Sequence, residues 1–431
     1  MPEDQLRSVR GMRDLLPKDQ LRWEWVRELA SETARRFGFH RIDVPAVEYI
    51  EVFDRSIGAD SDIVSKELFL VKQKAGNEDH VMALRPEFTA GIVRAYIQNS
   101  LFQESGAKRL YTWGPVWRYD RPQKGRYREL WQFDAEILGS SSASADAWVI
   151  YLAWKILKDL GLKDISVQLN SLGNEASRQA FQKKVKDYFK PHAAKLCEID
   201  QRRLESNPLR ILDSKDEVVK ALLEDAPQAL DCLDKDSKAF FTQVLSFLDD
   251  YGVEYSLNPH IVRGLDYYTH TAFEIVSTYG GQEGLALGGG GRYDGLAELL
   301  GGKKASGVGM GIGIDRVIME LAEQKVKPPT QKFGCEVYVI HLSHRGRKKA
   351  QEVLENLHGG GLVTLHAPDR DSFRAQLKAA DKAGAKYTII IGETEAKNDM
   401  CIIRDMKSGI QEDAMCADVT NLLTNRLRRT R

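Results

Sequence analysis

The chain has 431 residues, of which 42% are hydrophobic and 29% are charged, and its formal net charge at pH 7 is zero. Because single hydrophobic cores rarely grow beyond ~250–300 residues, this length predicts two or three domains. The balanced charge excludes a whole-molecule field that would attract nucleic acid, so any contact with a polyanion must come from local patches.

Cysteine usage and hydropathy indicate the compartment. The five cysteines are scattered, with no C-x-x-C pair and no histidine in ligand spacing, which argues against structural zinc and against a disulfide framework. The first residues, "MPEDQLRSVRGMRDLLP", are charged and lack an apolar stretch, and no run of 18 or more apolar residues occurs. We therefore expect a protein of the reducing cytoplasm that does not contact a membrane.

The first part of the chain predicts two helices around an extended segment. Residues 17–38 form the first helix, because apolar side chains recur at every fourth position from Trp25 to Phe37. The segment "FHRIDVPAVEYI" follows, and Pro45 within it favours a strand at an edge or an interface. Residues 89–102 form the second amphipathic stretch.

The middle of the chain alternates between strands and helices. Residues 110–139 follow a period of two around the polar loop "RPQKGR", which predicts a long hairpin. Residues 174–250 are charged, poor in glycine and helix-prone, so we interpret them as an inserted helical subdomain. Strands resume over 253–288, and a helix is predicted over 313–325.

The last part of the chain predicts a separate domain. The Lys/Pro segment "EQKVKPPTQKFG" (323–334) is the best candidate boundary. Beyond it, strands and helices alternate as β-α-β-α-β, and continuous apolar runs such as 387–391 are typical of a parallel or mixed sheet covered on both faces.

The stretch "RYRELWQFDAEILG" (126–139) gathers polar groups on one face of a predicted strand. Gln132, Asp134 and Glu136 lie on that face, since successive side chains alternate. The basic residues of the hairpin end are Arg118, Arg121, Lys124, Arg126 and Arg128. Separated cationic and anionic groups suit a zwitterionic or phosphorylated ligand. The alternative is a solvent-exposed strand with ordinary surface charges.

The stretch "IVRGLDYYTHTAFEI" (261–275) places Arg263 between apolar residues and glycine. A buried arginine must be paired. The structural alternative to a binding role is an ion pair with Asp266, packed by Tyr267 and Tyr268.

A glycine-rich stretch, "LALGGGGRYDGLAELLGG" followed by "GVGMGIGIDRV", covers 285–317. Alternate glycines from Gly307 to Gly313 predict a strand with one bare face, which is suited to stacking a planar ring, and Arg316 begins the next helix. Neither a dinucleotide fingerprint nor a P-loop fits the spacing. The alternative is a tight crossing of backbones without a ligand.

The stretch "ALRPEFTAG" (83–91) places Glu87 where an extended segment gives way to a helix that begins near Thr89. Thr89 could be a helix cap and nothing more.

Taken in order, these stretches resemble the histidyl-tRNA synthetase family of class II aminoacyl-tRNA synthetases. "RRFGFHRIDVPAVE" is similar to motif 1, "WGPVWRYDRPQKGRYRELWQFDAEILG" to motif 2 and "GVGMGIGIDRV" to motif 3. "VRGLDYYTHTAFE" and "GGGGRYDGL" resemble signatures of this synthetase, and "RGMRDLLP" resembles the start of the family's chains. The resemblance runs from about residue 7 to the C-terminus.

The resemblance implies the fold and the partners. We expect an α+β catalytic domain with an antiparallel sheet, the class II synthetase fold, over 1–328, with a helical insertion at about 174–250. A C-terminal α/β anticodon-binding domain is expected over 333–431. Motif 1 implies a homodimer, and the partners implied are histidine tRNA, L-histidine and ATP. No segment resembles an editing domain.

The resemblance also implies an ATP site. In the family the first arginine of motif 2, here Arg118, binds the α-phosphate and the carboxylate of the amino acid, and Arg126 and Arg316 bind the distal phosphates. Arg263 is implied as the catalytic arginine at the α-phosphate. Mg²⁺ on the β- and γ-phosphates follows from the chemistry, and no protein side chain is assigned to it.

A histidine pocket is implied beside the ATP site. Its residues are Glu87, Thr89, Arg118, Gln132, Glu136, Arg263, Tyr267 and Tyr268. In the family Glu87, Thr89 and Gln132 hold the α-amino group, while Glu136 and Tyr268 hold the imidazole. A carboxylate and a phenol can satisfy both ring nitrogens, and analogues that lack them would leave buried polar atoms unpaired.

A few positions depart from the family or add to it. Asp315 stands where many relatives have glutamate, and Phe88 stands where some bacterial relatives have glycine. Trp131 and Phe133 are bulkier than in some branches. We hypothesise that Gln123, in the motif 2 loop, meets the extra 5′ guanosine of histidine tRNA, which charging of tRNA with and without that nucleotide would test.

Three alternatives remain at this point. The nearest is a catalytically silent paralogue, the regulatory subunit of ATP phosphoribosyltransferase, but such paralogues typically lack the "RGLDYY" pattern and the anticodon domain. An RNA-binding protein without chemistry need not keep Arg118, Arg263 and Arg316. A synthetase for another amino acid is disfavoured by Glu136 together with the tyrosine pair.

Overall fold

A computed structural model describes residues 6–58, 61, 63–72, 81–121, 125–214, 216–261, 267–281, 284–329, 335–370 and 372–429. The chain divides into two compact units, Met1–Pro328 and Pro329–Arg431. The division falls within the predicted linker, of which residues 330–334 lie outside the described part. Within the described ranges we find no helix that combines the length and the apolar character of a membrane span.

The first unit contains ten α-helices and eleven strands in its described part. The helices are α1 (Pro17–Arg36), α2 (Ile50–Ile57), α3 (Thr89–Gln98), α4 (Ala143–Asp159), α5 (Glu175–Phe189), α6 (Glu198–Ser206), α7 (Glu217–Leu223), α8 (Lys235–Asp250), α9 (Leu296–Leu299) and α10 (Ile314–Glu323). The strands are β1 (His40–Arg41), β2 (Val47–Tyr49), β3 (Leu70–Val71), β4 (Met82–Leu84), β5 (Lys108–Trp117), β6 (Glu129–Leu138), β7 (Ile165–Ser171), β8 (Tyr255–Leu257), β9 (Thr269–Ser277), β10 (Leu285–Arg292) and β11 (Gly307–Gly313).

An eight-stranded sheet is the centre of this unit. Its order is β1-β5-β6-β11-β10-β9-β7-β8. The six inner strands are antiparallel to one another, and only the short edge strands β1 and β8 pair in parallel with their neighbours. A smaller sheet has the order β2-β4-β3. The predicted long hairpin is β5 and β6, paired in register from Lys108–Leu138 to Trp117–Glu129.

The two faces of the large sheet differ in chemistry. Odd-numbered residues of β6 such as Phe133, Ala135 and Ile137 belong to the main hydrophobic core, which helices α1, α4, α8 and α10 cover. The even-numbered residues of β6 therefore face the other side of the sheet, which these helices leave uncovered. Four helices of the unit begin at side chains that accept a hydrogen bond from the first turn, namely Ser142, Asn174, Asp216 and Asp234.

Two helical features differ from the sequence predictions. On α1 the fully buried side is Trp23, Val26, Ala30 and Ala34, and the predicted Trp25 packs only at its flank. Helix α8 lies within the predicted insertion 174–250, but it packs on α4 in the main core. Helices α5 to α7 join a second core cluster instead, so the segment between β7 and α8 is the part that leaves the main core.

The second unit is a five-stranded mixed sheet with helices. Its helices are α11 (His344–Gly359), α12 (Phe373–Lys382), α13 (Glu393–Lys397) and α14 (Val419–Arg429). Its strands are β12 (Val337–His341), β13 (Thr364–His366), β14 (Tyr387–Ile391), β15 (Met400–Asp405) and β16 (Gln411–Met415), in the order β13-β12-β14-β15-β16. Strand β12 pairs in parallel with both neighbours, while β15 and β16 are antiparallel.

Alternate residues of β12 enter opposite cores of the second unit. Val337 and Val339 pack into one cluster, and Tyr338 and Ile340 pack into the other. The continuous apolar runs therefore reflect a sheet covered on both faces, as the sequence predicted.

Candidate active site

A cavity of about 390 Å³ lies on the uncovered face of the large sheet. Gln132 of β6 and Gly311 and Gly313 of β11 form part of its floor. The arginines that line it, among the described residues, are Arg118, Arg126, Arg203, Arg210 and Arg316. The predicted arginine end of the hairpin and the start of α10 therefore meet at one cavity, although they are far apart in sequence.

Backbone oxygens orient two of these arginines. Arg118 donates from Nε to the carbonyl oxygen of Pro86 at 2.9 Å, and Arg316 donates from Nη1 to Ala286 at 2.8 Å. Arg126 pairs with the carboxylate of Asp120 at 3.3 Å. A guanidinium has five donors in a planar fork, so arginines oriented towards the cavity are suited to binding an anion there.

Next to the cavity three carboxyl groups are buried together. Glu87, Asp134 and Glu136 are each at most 4% exposed. Glu87 accepts hydrogen bonds from the backbone N–H groups of Thr89 at 2.6 Å and Ala90 at 2.9 Å, at the N-terminus of α3. The Thr89 hydroxyl donates to Glu136 at 2.6 Å. Glu87 therefore caps this helix, and the alternative that Thr89 is its cap is wrong.

Burial raises the pKa of all three carboxyl groups. The pKa of Glu136 rises to about 8 because of burial, even though hydrogen bonds from Thr89 and Tyr293 lower it. The pKa of Asp134 is held well above its ordinary value by burial and by the nearby charges of Glu136 and Glu87. Burial also raises the pKa of Glu87. Such a cluster favours a cationic ligand, because a bound positive charge would offset the repulsion.

Oxygen Oδ1 of Asp134 has no hydrogen-bond partner among the described residues, and neither does the side-chain oxygen of Gln132. Both side chains lie on the polar face of β6. Buried polar atoms without partners are rare in native structures, so these two oxygens mark places where a ligand's N–H donors would be accommodated.

Alternate glycines make room for these carboxyl groups. In the pairing of β11 with β6, Gly309 is opposite Glu136, Gly311 is opposite Asp134 and Gly313 is opposite Gln132. A Cβ atom at Gly309 would collide with the Glu136 carboxylate. The prediction that the bare face stacks a planar ring is therefore wrong at Gly309, whose space Glu136 occupies, while Gly311 and Gly313 do line the cavity.

The glycine run of β10 has a different use. A Cβ at Gly290 would collide with the carbonyl oxygen of Gly309, and one at Gly291 would collide with the carbonyl oxygen of Thr271. The interpretation as a close backbone crossing therefore applies to both glycines. At Gly291 a Cβ would also approach the ring of Tyr268 within 2.9 Å, so the missing side chain leaves space for that tyrosine too.

Tyr293 is the residue that the sequence did not single out. Its hydroxyl donates to Glu136, and its ring packs edge-on against Tyr267 at 5.6 Å between centroids. Tyr267 and Tyr268 are themselves buried, and their ring centroids are 4.7 Å apart. The motif "GGGGRYDGL" contained Tyr293 but gave no indication of its partner.

Arg292, the neighbour of Tyr293, has a structural role. It forms a buried ion pair with Asp146 at 2.7 Å and also donates to the carbonyl oxygen of Ser140 at 2.9 Å. Asp146 additionally accepts a hydrogen bond from Thr271 at 2.9 Å. This network joins α4 to β9 and β10, beneath the glycine run.

Asp315 and Phe88, two departures from the family pattern, each contact side chains or backbone near the site. Asp315 accepts a hydrogen bond from the backbone N–H of Trp131 at 2.8 Å and pairs with Arg13, so it links α10 to β6 and to the N-terminal segment. Phe88 is buried beneath the guanidinium of Arg85, which lies 4.4 Å from its ring centroid.

Some predicted residues lie outside the described part of the chain. They are Gln123, Lys124, Arg263 and Asp266. The described residues that the structure brings together at the cavity or the adjoining carboxyl cluster are Glu87, Thr89, Arg118, Arg126, Gln132, Glu136, Tyr267, Tyr268 and Arg316.

Replacing Glu136 by glutamine should change how stability depends on pH. The native pKa of about 8 exceeds the ordinary value of 4.5, so between these values the native state holds a proton that the unfolded state releases. Wild-type stability should therefore fall relative to Glu136→Gln as pH rises through this window, by at most about 1.4 kcal/mol per pH unit.

Urea denaturation between pH 5 and pH 8, followed by tryptophan fluorescence, measures the difference between the two proteins. A difference that stays constant across this range would contradict the raised pKa of Glu136.

Comparisons with known proteins agree with this architecture. Residues 11–317 match the family model described as histidyl-tRNA synthetase, and residues 336–426 match the anticodon-binding domain. Histidine–tRNA ligase of Synechococcus sp. is 39% identical over 423 residues, covering 98% of this chain and 99% of that protein. The histidine–tRNA ligase of Bacillus licheniformis is 38% identical, covering 94% of this chain and 95% of its own length.

The structure of apo histidyl-tRNA synthetase from S. aureus matches with a TM-score of 0.82 and 30% identity, covering 97% of this chain and 100% of that one. The antiparallel sheet with its arginine-lined cavity is thus the class II aminoacyl-tRNA synthetase fold. Within that class, the chain belongs to the histidyl-tRNA synthetase family. The resemblance inferred from the sequence motifs is confirmed.

Proposed function

We propose that this protein attaches L-histidine to histidine tRNA through a histidyl-adenylate formed from ATP. The observation that carries the proposal is the position of three buried carboxyl groups directly beside a cavity lined by arginines. An amino acid bound next to ATP fits both features. Its cationic end would lie against the carboxyl groups, and its carboxylate would face the polyphosphate held by the arginines. The family membership supports the same reaction.

The first step joins histidine to the α-phosphate of ATP. A carboxylate oxygen of histidine attacks the α-phosphorus, the bond to the bridging oxygen of the β-phosphate breaks, and pyrophosphate leaves with that electron pair. No enzyme nucleophile is required, so positioning and charge stabilisation provide the rate. We assign the stabilisation of the α-phosphate to Arg118 and Arg263, and that of the distal phosphates to Arg126 and Arg316.

The second step transfers the histidyl group to the tRNA. A terminal ribose hydroxyl attacks the carbonyl carbon of the adenylate and gives its proton to solvent, and AMP leaves with the electron pair of the broken bond between that carbon and the phosphate oxygen. We assign recognition of the anticodon to 333–431 and contact with the extra 5′ guanosine to Gln123. The protein is proposed to act as a homodimer in the cytoplasm.

Histidine is proposed to bind over the polar face of β6. Glu87, Thr89 and Gln132 would hold the α-amino group, and Glu136 with Tyr268 would hold the imidazole, beside Tyr267. The Thr89 and Tyr293 hydroxyls donate to Glu136, so the substrate's N–H group would replace or join these donors.

Mg²⁺ is proposed to enter with ATP, held by the β- and γ-phosphates. Glu274 and Glu67 line the same cavity, and their carboxylate oxygens are of the kind that Mg²⁺ prefers. When bound, the ion would neutralise charge on the leaving pyrophosphate.

A charging assay tests the proposal. Wild-type protein with ATP, Mg²⁺ and histidine tRNA should form histidyl-tRNA, and Arg263→Ala should lower the rate by about 10²–10³-fold because a charge that stabilises the transition state is removed. If folded wild-type protein binds ATP but charges no tRNA, a silent paralogue or an RNA-binding role replaces this proposal.

A further inference from the structure

The helical segment between β7 and α8 contributes to the arginine-lined cavity. Arg203 of α6 and Arg210 of the 3₁₀ turn Pro208–Asp213 both line it, together with residues of the hairpin, β11 and α10. The family motifs quoted above include neither residue. This segment therefore reaches the site at which the nucleotide is proposed to bind.

A buried network fixes the direction of Arg203. Its Nη1 pairs with Oδ1 of Asp200 at 3.1 Å, and Asp200 is 1% exposed. The other carboxylate oxygen of Asp200 accepts hydrogen bonds from Ser214 at 2.6 Å and from the Cys197 thiol at 3.3 Å. Because these contacts hold the carboxylate, the guanidinium beside it is preorganised.

The neighbouring arginine on the same helix has a different environment. The side chain of Arg202 is 77% exposed, and its guanidinium lies 4.0 Å from the carboxylate of Glu198. The side chain of Arg203 is only 25% exposed. The two adjacent arginines thus separate into one that faces the cavity and one that faces solvent.

The segment packs on the same core as the pocket. Phe181, Val185 and Leu204 belong to the hydrophobic cluster that also contains Tyr267 and Tyr293. The packing connects the helices of the insertion with the tyrosines beside the carboxyl cluster, so Arg203 and Arg210 have a defined position relative to the floor of the site.

The charge of the cavity depends on these two residues. Among the described residues that line it, five are arginines and four are acidic, namely Glu67, Asp120, Glu274 and Asp315. Without Arg203 and Arg210 the acidic residues would outnumber the arginines. Arg203 and Arg210 therefore supply two of the five described arginines at the place where the triphosphate is proposed to bind.

The geometry points to Arg203 and Arg210 as ligands of the β- and γ-phosphates of ATP and of the pyrophosphate that leaves. This inference rests on the proposed function and gives the helical insertion a part in the nucleotide site. Guanidinium groups suit this task because they bind phosphate oxygens in pairs.

Pyrophosphate exchange with histidine, which requires no tRNA, tests the inference. The double variant Arg203→Gln/Arg210→Gln should raise KM for ATP and for pyrophosphate by about tenfold or more, since it removes the charge-assisted hydrogen bonds to the phosphates. KM for histidine should stay within about twofold, because these groups act on the phosphates. Arg202→Gln, on the same helix, is the matched control and should leave all three constants unchanged.

A second variant distinguishes a loss of phosphate binding from a loss of folding. Arg203→Lys keeps the positive charge beside Asp200 but removes the guanidinium fork, so it should also raise KM for ATP with the fold intact. Circular dichroism checks each variant.

The possible outcomes distinguish a failure of this inference from a failure of the proposed function. Unchanged exchange in the double variant, or a defect that appears only as a raised KM for tRNA in charging, would overturn the inference, and the arginines would then be contacts for tRNA. Absence of histidine-dependent exchange in the wild type would instead overturn the proposed function.

Discussion

Replacing Arg118 by lysine should lower the maximal rate of histidine-dependent pyrophosphate exchange by about 10²–10³-fold. Arg118 is half-buried at the cavity, and its Nε donates to the carbonyl oxygen of Pro86 at 2.9 Å. This bond leaves the outer nitrogens of the guanidinium for a ligand. Lysine keeps the charge but cannot hold the backbone oxygen and two ligand oxygens in one plane, so the loss should fall mainly on kcat.

The control for this variant is Arg109→Lys. Arg109 is an exposed residue near the start of the same strand, β5, so its replacement should leave exchange unchanged. A rate for Arg118→Lys within about threefold of wild type would contradict a role for Arg118 in stabilising the transition state.

Replacing Asp146 by alanine should lower the free energy of unfolding of the first unit by about 3–5 kcal/mol, because it leaves Arg292 charged and buried without its main partner. The pair is bidentate, at 2.7 and 3.1 Å, and neither residue is exposed to solvent. Asp294, at 2.9 Å from Arg292, remains but is partly exposed.

Tryptophan fluorescence during urea denaturation measures this loss. All seven tryptophans lie before residue 155, so the signal reports on the first unit alone. Lys155→Ala removes an exposed ion pair with Asp159 on the same helix, α4, and should cost less than about 1 kcal/mol. A loss of under about 1 kcal/mol for Asp146→Ala would show that Arg292 finds equivalent partners.

The alternation of residues allowed the polar floor of the site to be predicted from sequence. Gln132, Asp134 and Glu136 have the period of a strand, and the apolar residues between them had to face a core. The structure places Phe133 in that core. Local sequence was sufficient here because the period of two determines the face of every residue on the strand once one face is buried.

Contacts between distant strands could not be predicted in this way. The hydrogen bond from Tyr293 to Glu136 joins residues 157 positions apart, and it depends on the registers of β11 with β6 and with β10. Periodicity within one strand carries no information on its register with another. The requirement for glycine at position 309 could not be predicted either, because it arises only from the Glu136 carboxylate on the neighbouring strand.

The helical insertion shows a second limit of sequence patterns. Composition predicted one helical subdomain over 174–250, but α8 packs on α4 in the main core, while Arg203 reaches the cavity from α6. The amphipathic pattern of a helix identifies its buried side but not which core that side enters. The position of Arg203 therefore became visible only once the helices were packed.

We propose the buried carboxyl cluster and the arginine-lined cavity as one site for histidine and ATP. Pyrophosphate exchange on wild-type protein with each of the twenty amino acids tests this proposal. We expect exchange with histidine alone, since an imidazole satisfies the groups around Glu136. Exchange with a different amino acid, or with none of the twenty in a folded protein that binds ATP, would contradict it.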